Sequence, residues 1–227
     1  MNTTSAKTGF VLSIVSLFSF FAYTLCFVAI LFAGEPFTWT NIHDFSLHEA
    51  GNPVLFKYLG MGCMILFSCA FVVMVACMHP SKRKERTSIF YVALSFAVAF
   101  CVTISINYFV QLSATRLQLM AGVTEGLEQF TQAFSISAIN AINMLGWTLF
   151  YAIASLALSF LFDQTRLGRN AKFFCLANAV MMLAGMVGYL LNNYAILFVT
   201  MNAGLGATSI AIIITMGLFF RKNMQSK

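Results

Sequence analysis

Residues 88–112, SIFYVALSFAVAFCVTISINYFVQL, form the third of six long apolar segments in this chain. The segment holds no charged residue and is longer than the roughly 20 residues that a helix needs to cross a hydrocarbon core. Near its end, Asn107, Tyr108 and Gln111 place two carboxamides and a phenol at membrane depth. The stretch therefore predicts a membrane helix with a polar site at one end.

The rest of the chain has the same apolar character. Of its 227 residues, 60% are hydrophobic and 9% are charged, with a mean hydropathy of +0.85. A soluble domain is normally about one-quarter charged. Segments of ~10 residues with alternating polarity, the mark of a membrane barrel, are absent from the sequence. We therefore predict an all-α membrane protein, a single domain of residues 1–227 with six transmembrane helices at approximately 10–33, 54–78, 88–112, 134–162, 171–191 and 195–220.

The loop charges predict the orientation. Eleven of the 13 basic residues fall beside one set of helix ends, and five of the seven acids fall beside the other. Because cytoplasmic loops carry the excess of Lys and Arg, we predict that both termini are cytoplasmic. The basic set is Lys7, Lys82, Arg83, Lys84, Arg86, Arg166, Arg169, Lys172, Arg221, Lys222 and Lys227, and the opposite set is Glu35, Asp44, Glu49, Glu125 and Glu128.

The composition also limits the partners and cofactors. The net charge of +6 is spread over short loops, so nucleic acid is not an expected partner. All six cysteines lie in apolar segments, which predicts small buried side chains and neither disulfides nor zinc ligands. The expected surroundings are the lipid bilayer, no cofactor is predicted, and any protein partner is left open.

Polar side chains recur at a similar depth in four of the predicted helices. Such groups avoid lipid and should face the interior of the helix bundle. We expect an outward-facing pocket for a small or lipid-like ligand, covered by one or both long outer loops. The candidate ligand-binding residues are Asn107, Tyr108, Gln111, Asn140, Asn143, Tyr189, Asn192 and Asn202. The competing interpretation is that these groups only form hydrogen bonds between helices.

Asp, Glu, Lys, Arg and His are missing from the deep part of every predicted helix. A proton-coupled transporter usually needs such a residue, and a metal-dependent hydrolase needs His and carboxylate ligands, so both mechanisms are disfavoured. We expect no metal site, and the weak alternative is a divalent-ion site formed by His43, Asp44, His48 and Glu49 in the first outer loop.

The second outer loop carries Arg116, Glu125 and Glu128. These residues are expected to form a surface ion pair or to contact lipid headgroups, and are not expected to be catalytic. A short interfacial helix, interrupted near Gly122 and Gly126, is predicted in the same loop.

Residues 106–112, INYFVQL, are followed by Arg116 and by the run Gly122-Val123-Thr124-Glu125-Gly126-Leu127. This pattern resembles a group of uncharacterised bacterial six-helix integral membrane proteins with an NYxxQ patch at the end of the third helix. The resemblance implies a bacterial inner-membrane location and carries no established activity.

Three functional hypotheses remain open. The first is a transport component or sensor that binds a small or lipid-like ligand in the polar pocket. The second is a structural or accessory membrane subunit without a ligand. The third, which is less favoured, is an intramembrane enzyme that acts on lipid through His43, Asp44, His48 and Glu49. A cavity bounded by the carboxamides would favour the first hypothesis.

Overall fold

A computed structural model describes residues 2–33, 37–51, 54–79 and 86–225. All regular structure among these residues is helical, and six helices are long and apolar enough to cross a membrane, which confirms the all-α, multi-pass fold class. We call them the first to sixth spans: Thr3–Phe32, Val54–Cys77, Thr87–Met120, Ala138–Ser159, Arg166–Leu190 and Tyr194–Gln225. Five of the charged residues considered above lie outside the described residues: Glu35, Lys82, Arg83, Lys84 and Lys227.

Helix-capping side chains correct several of the predicted bounds. The fourth span begins at Ala138 and not at Phe134, because the Ser137 side chain accepts a hydrogen bond from the Asn140 backbone amide. The fifth span begins at Arg166 because Thr165 caps it in the same way. Asn193 caps the start of the sixth span at Tyr194. Hydropathy does not register these polar caps, which satisfy amides that would otherwise lack partners.

The third span continues past its predicted end at Leu112 and reaches Met120. The interfacial helix expected in the second outer loop is thus the last part of this span. The chain then turns through Gly122 and Gly126, whose φ angles are 70° and 71°. These left-handed conformations suit glycine, which has no Cβ. The first outer loop also contains a helix, Ile42–Gly51, which we call the cap helix.

The bundle is held together by contacts between neighbouring spans. The first span packs on the second and sixth, the third on the second and fourth, and the fifth on the fourth and sixth. At the centre, the rings of Phe100 and Tyr151 stack with centroids 4.8 Å apart, and Phe67 lies parallel to Trp147 at 6.2 Å. The end of the bundle opposite both termini is called the distal end below.

A satisfied polar network joins the fourth, fifth and sixth spans. Asn178 donates from Nδ2 to Ser155 Oγ at 2.8 Å, and its Oδ1 accepts from Thr208 Oγ1 at 2.8 Å. Nearby, Tyr151 donates to Ser209 at 3.1 Å. Bonds of this kind between membrane helices contribute about 0.6–1.7 kcal/mol each. For these residues, the interpretation of polar groups as contacts between helices is sufficient.

Three of the described spans contain a π-helical segment: Gln111–Thr115, Leu145–Phe150 and Val199–Gly204. A π turn takes an extra residue into the helix and is frequent at functional sites. Two of the segments, Gln111–Thr115 and Val199–Gly204, lie in the distal half of the bundle, and Leu145–Phe150 lies at the middle of its span, next to Asn143. The helices are therefore irregular where a ligand site is expected.

Candidate functional site

A cavity of about 650 Å³ lies in the distal half of the bundle. Its size falls within the roughly 300–1,000 Å³ that is usual for small-ligand sites. The first, second, third, fourth and sixth spans contribute to its wall, together with the segment that precedes the fourth span. The described residues that line it are Phe20, Tyr23, Thr24, Phe27, Met64, Tyr108, Gln132, Asn143, Trp147, Met201, Asn202, Ala203, Leu205, Gly206, Ala207 and Ile210.

The wall of the cavity changes from apolar to polar toward the distal end. Phe20, Met64 and Ile210 line its deeper part, and Tyr108, Gln132 and Asn143 line its distal part. The Tyr108 side chain lines the cavity beside Gln132 and Trp147. The cavity is thus amphipathic along the membrane normal.

Asn107 links two of the three carboxamides that line the cavity, Asn143 and Gln132. Its Nδ2 donates to Asn143 Oδ1 at 3.2 Å and to Gln132 Oε1 at 3.3 Å. The side chain is 0% exposed, yet its Oδ1 has no hydrogen-bond partner. A buried polar atom without a partner costs about 1–3 kcal/mol. In the cluster of Asn107, Gln132 and Asn143, Asn107 Oδ1 therefore lacks a hydrogen-bond donor, whereas both polar groups of Asn178 have partners.

Gln111 and Thr115 hold Gln132 in place without lining the cavity themselves. Gln111 donates to the Phe130 carbonyl at 2.6 Å and accepts from the Gln132 backbone amide at 3.1 Å. Thr115 donates to the same Phe130 carbonyl at 2.9 Å. Both residues belong to the π segment of the third span, which therefore braces the loop that carries Gln132.

The cavity opens sideways, between the first and sixth spans. At its edge, Thr24 and Phe27 of the first span and Asn202, Ala203 and Ala207 of the sixth are exposed. Nearer the termini the same spans are in close contact, with Ser13 against Gly217 and the ring of Phe220 against Gly9. The two helices diverge from this contact, and the gap between their distal halves forms the mouth.

Several predicted site residues lie away from the cavity. Asn140 and Tyr189 both donate to the Ser135 carbonyl, at 2.7 and 3.2 Å. Asn192 is exposed in the turn between the fifth and sixth spans, where its φ of 51° is left-handed. The structure therefore brings together Asn107, Tyr108, Asn143 and Asn202 at or beside the cavity, with Gln111 as a brace, and it separates Asn140, Tyr189 and Asn192 from them.

Gln132 is the main polar residue of the cavity that the sequence did not single out. It precedes the fourth span in a segment with ordinary loop composition. Trp147 and Tyr23 also line the cavity, and both sit in apolar segments where an aromatic residue is unremarkable. The sequence predicted the site from polar residues at a similar depth in four predicted helices. Gln132 lies between two of these helices, so that reasoning could not identify it.

A smaller cavity of about 160 Å³ adjoins the first and shares Tyr23, Phe27, Tyr108 and Gln132 with it. It extends to Lys57 near the distal end of the second span. The Lys57 ammonium lies 2.7 Å from Glu49 Oε2 of the cap helix and 5.0 Å from the centre of the Phe45 ring. The charge closest to the site is therefore already paired.

Arg116, the other described cation of the distal end, contacts its own helix and the ring of a neighbouring span. Arg116 donates from Nε to the Leu112 carbonyl and lies over the Tyr58 ring at 5.9 Å. Among the described residues the structure records no ion pair between Arg116 and Glu125 or Glu128, and the alternative of a lipid headgroup contact stays a prediction.

Three of the four weak metal candidates in the cap helix have other partners, and the fourth, His43, is exposed. Asp44 Oδ2 accepts from Thr40 and Asn41, both at 2.7 Å, and Glu49 pairs with Lys57. The His48 ring packs against Phe37 with centroids 5.0 Å apart. Within the described ranges, no three His, Cys, Asp or Glu side chains are grouped as a metal site requires. These residues shape and attach the cap helix.

Comparison of the chain with family models, curated proteins and solved structures finds no match. The resemblance to bacterial six-helix proteins with an NYxxQ patch stays a prediction. The cavity and its lining residues are therefore the features of this protein that bear on its function.

Proposed function

We propose that this protein binds a lipid-like ligand in the distal cavity, as a transport component or a sensor. The observation that carries the proposal is the sideways mouth between the first and sixth spans, which leads from the lipid-facing surface to buried carboxamides. A site that only fixes helix packing needs neither a cavity of about 650 Å³ nor an access route. The unpartnered Asn107 Oδ1 is a second support, because the Asn178 network has its hydrogen bonds complete.

The π segments support a role that involves movement. Two of them, Leu145–Phe150 and Val199–Gly204, contribute Trp147 and residues 201–203 to the cavity wall. In a π turn the backbone hydrogen bonds join residues five apart, whereas in an α turn they join residues four apart. A π segment can therefore convert to α-helix by shifting each bond by one residue. Reversion would rotate the cavity-lining face of the span, which would couple occupancy of the cavity to helix rotation.

Photo-cross-linking tests the proposal directly. A single-chain amphiphile with a diazirine near the end of its chain is incorporated into liposomes with the protein and activated by light. We expect cross-links on the deep cavity residues Phe20, Met64 and Ile210. Cross-links that fall only on lipid-facing residues such as Phe18 or Leu25 would contradict the proposal.

We also propose that both termini face the cytoplasm of a bacterial cell. Seven described cations support this orientation by lying near the terminal ends of the spans, and two lie near the distal ends. The first set is Lys7, Arg86, Arg166, Arg169, Lys172, Arg221 and Lys222, and the second is Lys57 and Arg116.

Reporter fusions in a bacterial host test the orientation. Green fluorescent protein fused after the C-terminus is expected to fluoresce, and alkaline phosphatase at the same site is expected to be inactive. Fusions to a chain truncated after Asn41, beyond the first span, are expected to give the opposite pair of signals. An active phosphatase at the C-terminus would overturn the proposed orientation.

A further inference from the structure

We infer that the ligand is an uncharged single-chain amphiphile, with its hydrogen-bonding head among Tyr108, Gln132 and Asn143 and its chain lying toward Phe20, Met64 and Ile210. This inference rests on the proposed function and adds the chemical class of the ligand and its direction of binding. Charge, volume and hydrogen-bonding capacity of the cavity each support it.

The cavity offers no partner for a charged head. Among the described residues that line it, none is Asp, Glu, Lys, Arg or His. Lys57, which lines the smaller neighbouring cavity, already has Glu49 at 2.7 Å. An anionic head would have to displace this carboxylate, and a cationic head would meet only neutral dipoles. Burying a charge without a partner costs several kcal/mol, so charged amphiphiles are excluded from the cavity.

The polar end is suited to a head that both accepts and donates hydrogen bonds. Asn143 is 6% exposed, lines the cavity, and uses only its Oδ1 within the described part of the chain, which leaves Nδ2 as a donor. Beside it, Gln132 also lines the cavity, and its Oε1 accepts one hydrogen bond, from Asn107, which leaves a second lone pair as an acceptor. A head that carries hydroxyl and ester groups supplies both complements without carrying charge.

The volume of the cavity suits one chain. A water molecule takes about 30 Å³ of liquid, and a methylene group takes a similar volume, so a cavity of about 650 Å³ holds roughly 20 such units. That is enough for one long hydrocarbon chain with a small head, and the second chain of a two-chain lipid would have to stay outside the mouth.

The position of the mouth explains how such a molecule enters. Thr24 and Phe27 face Asn202, Ala203 and Ala207 across the gap between the first and sixth spans. Phe27 is 43% exposed at this edge. An amphiphile already in the bilayer has its head at the distal surface and its chain at the depth of the mouth, so it enters sideways without crossing water.

Tryptophan quenching by brominated chains tests the inference. The chain has two tryptophans, and a Trp39→Phe variant leaves Trp147, which lines the cavity, as the sole reporter. The probes share one brominated 16-carbon chain and carry a glycerol ester, a sulfonate or a trimethylammonium head. We expect saturable quenching by the glycerol ester at a concentration about tenfold or more below that of either charged probe.

Two variants examine the role of the carboxamides. Asn143→Leu and Gln132→Leu each remove a polar group at nearly constant volume, and each is expected to reduce the preference for the glycerol ester to about threefold or less. Gln132 lies outside the spans, so its replacement perturbs helix packing least. An unchanged preference in both variants would overturn the placement of the head.

The outcomes separate this inference from the proposed function. If a charged probe binds as tightly as the glycerol ester, and Gly206→Phe abolishes its quenching, the ligand class is wrong while the cavity remains a ligand site. If no probe quenches saturably, the ligand class is again wrong. Ligand retention in native mass spectrometry, compared between the wild type and Gly206→Phe, then decides whether the cavity binds any ligand.

Discussion

Replacing Gly206 by phenylalanine is expected to abolish retention of a ligand by the gently solubilised protein, with a loss of affinity of about 100-fold or more. Gly206 lines the cavity, and a Cβ added there would meet no atom within 4 Å. The added Cβ would therefore not clash with the protein, and the phenyl ring beyond it would occupy space that is now empty. A loss of 100-fold corresponds to about 2.7 kcal/mol of binding free energy.

Native mass spectrometry measures this effect as the fraction of protein that keeps an added mass. Gly62→Phe is the matched control, because a Cβ at Gly62 would also meet no atom within 4 Å, but this glycine is exposed on the second span, away from the cavity. We expect the control to retain the ligand as the wild type does. Equal retention by wild type, Gly206→Phe and Gly62→Phe would contradict a ligand site in this cavity.

Replacing Gly188 by valine is expected to destabilise the fold by about 1–3 kcal/mol, as overpacking of a tight contact does. A Cβ at Gly188 would lie 2.8 Å from Ile196 Cγ2 and 3.0 Å from the Leu197 backbone nitrogen. The isoleucine side chain can rotate, but the backbone of the sixth span is held by a hydrogen bond from the Asn193 amide to the Gly188 carbonyl at 2.8 Å.

Thermal unfolding in matched micelles measures this destabilisation, with an expected decrease in Tm of roughly 2–12 °C. The control is Gly62→Val, which adds the same side chain at a position where a Cβ meets nothing within 4 Å, and its Tm is expected to stay within about 2 °C of the wild type. An unchanged Tm in Gly188→Val would mean that the fifth and sixth spans do not pack as closely as described.

The six-helix fold was predictable because it depends on the length and polarity of continuous segments. Residues 88–112 have to be helical in a bilayer whatever surrounds them, since lipid offers no hydrogen-bond partner to the backbone. The ends of the helices were less predictable. Ser137 and Thr165 start helices through single capping bonds, which a hydropathy profile does not register.

The face that each polar residue presents was predictable only in part from the geometry of a regular helix. A regular helix turns 100° per residue, and on that basis Asn140, Asn143, Trp147, Tyr151 and Ser155 share one face. The π segment Leu145–Phe150 adds a residue and rotates everything beyond it. Asn143 and Trp147 line the cavity, whereas Ser155 bonds to Asn178 of the fifth span, and Asn140, ahead of the π segment, bonds to the Ser135 carbonyl.

The sequence by itself predicted that carboxamides of several helices lie at a similar depth in a membrane, because depth follows from position along a span. Only the tertiary structure decided their roles. Asn178 is a contact between helices, Asn192 makes a turn, and Asn107 and Asn143 lie at a cavity. These roles depend on where the spans touch and where they diverge, which is set by side-chain packing across the bundle, as at Gly217 and Ser13, and is not encoded in the periodicity of any one helix.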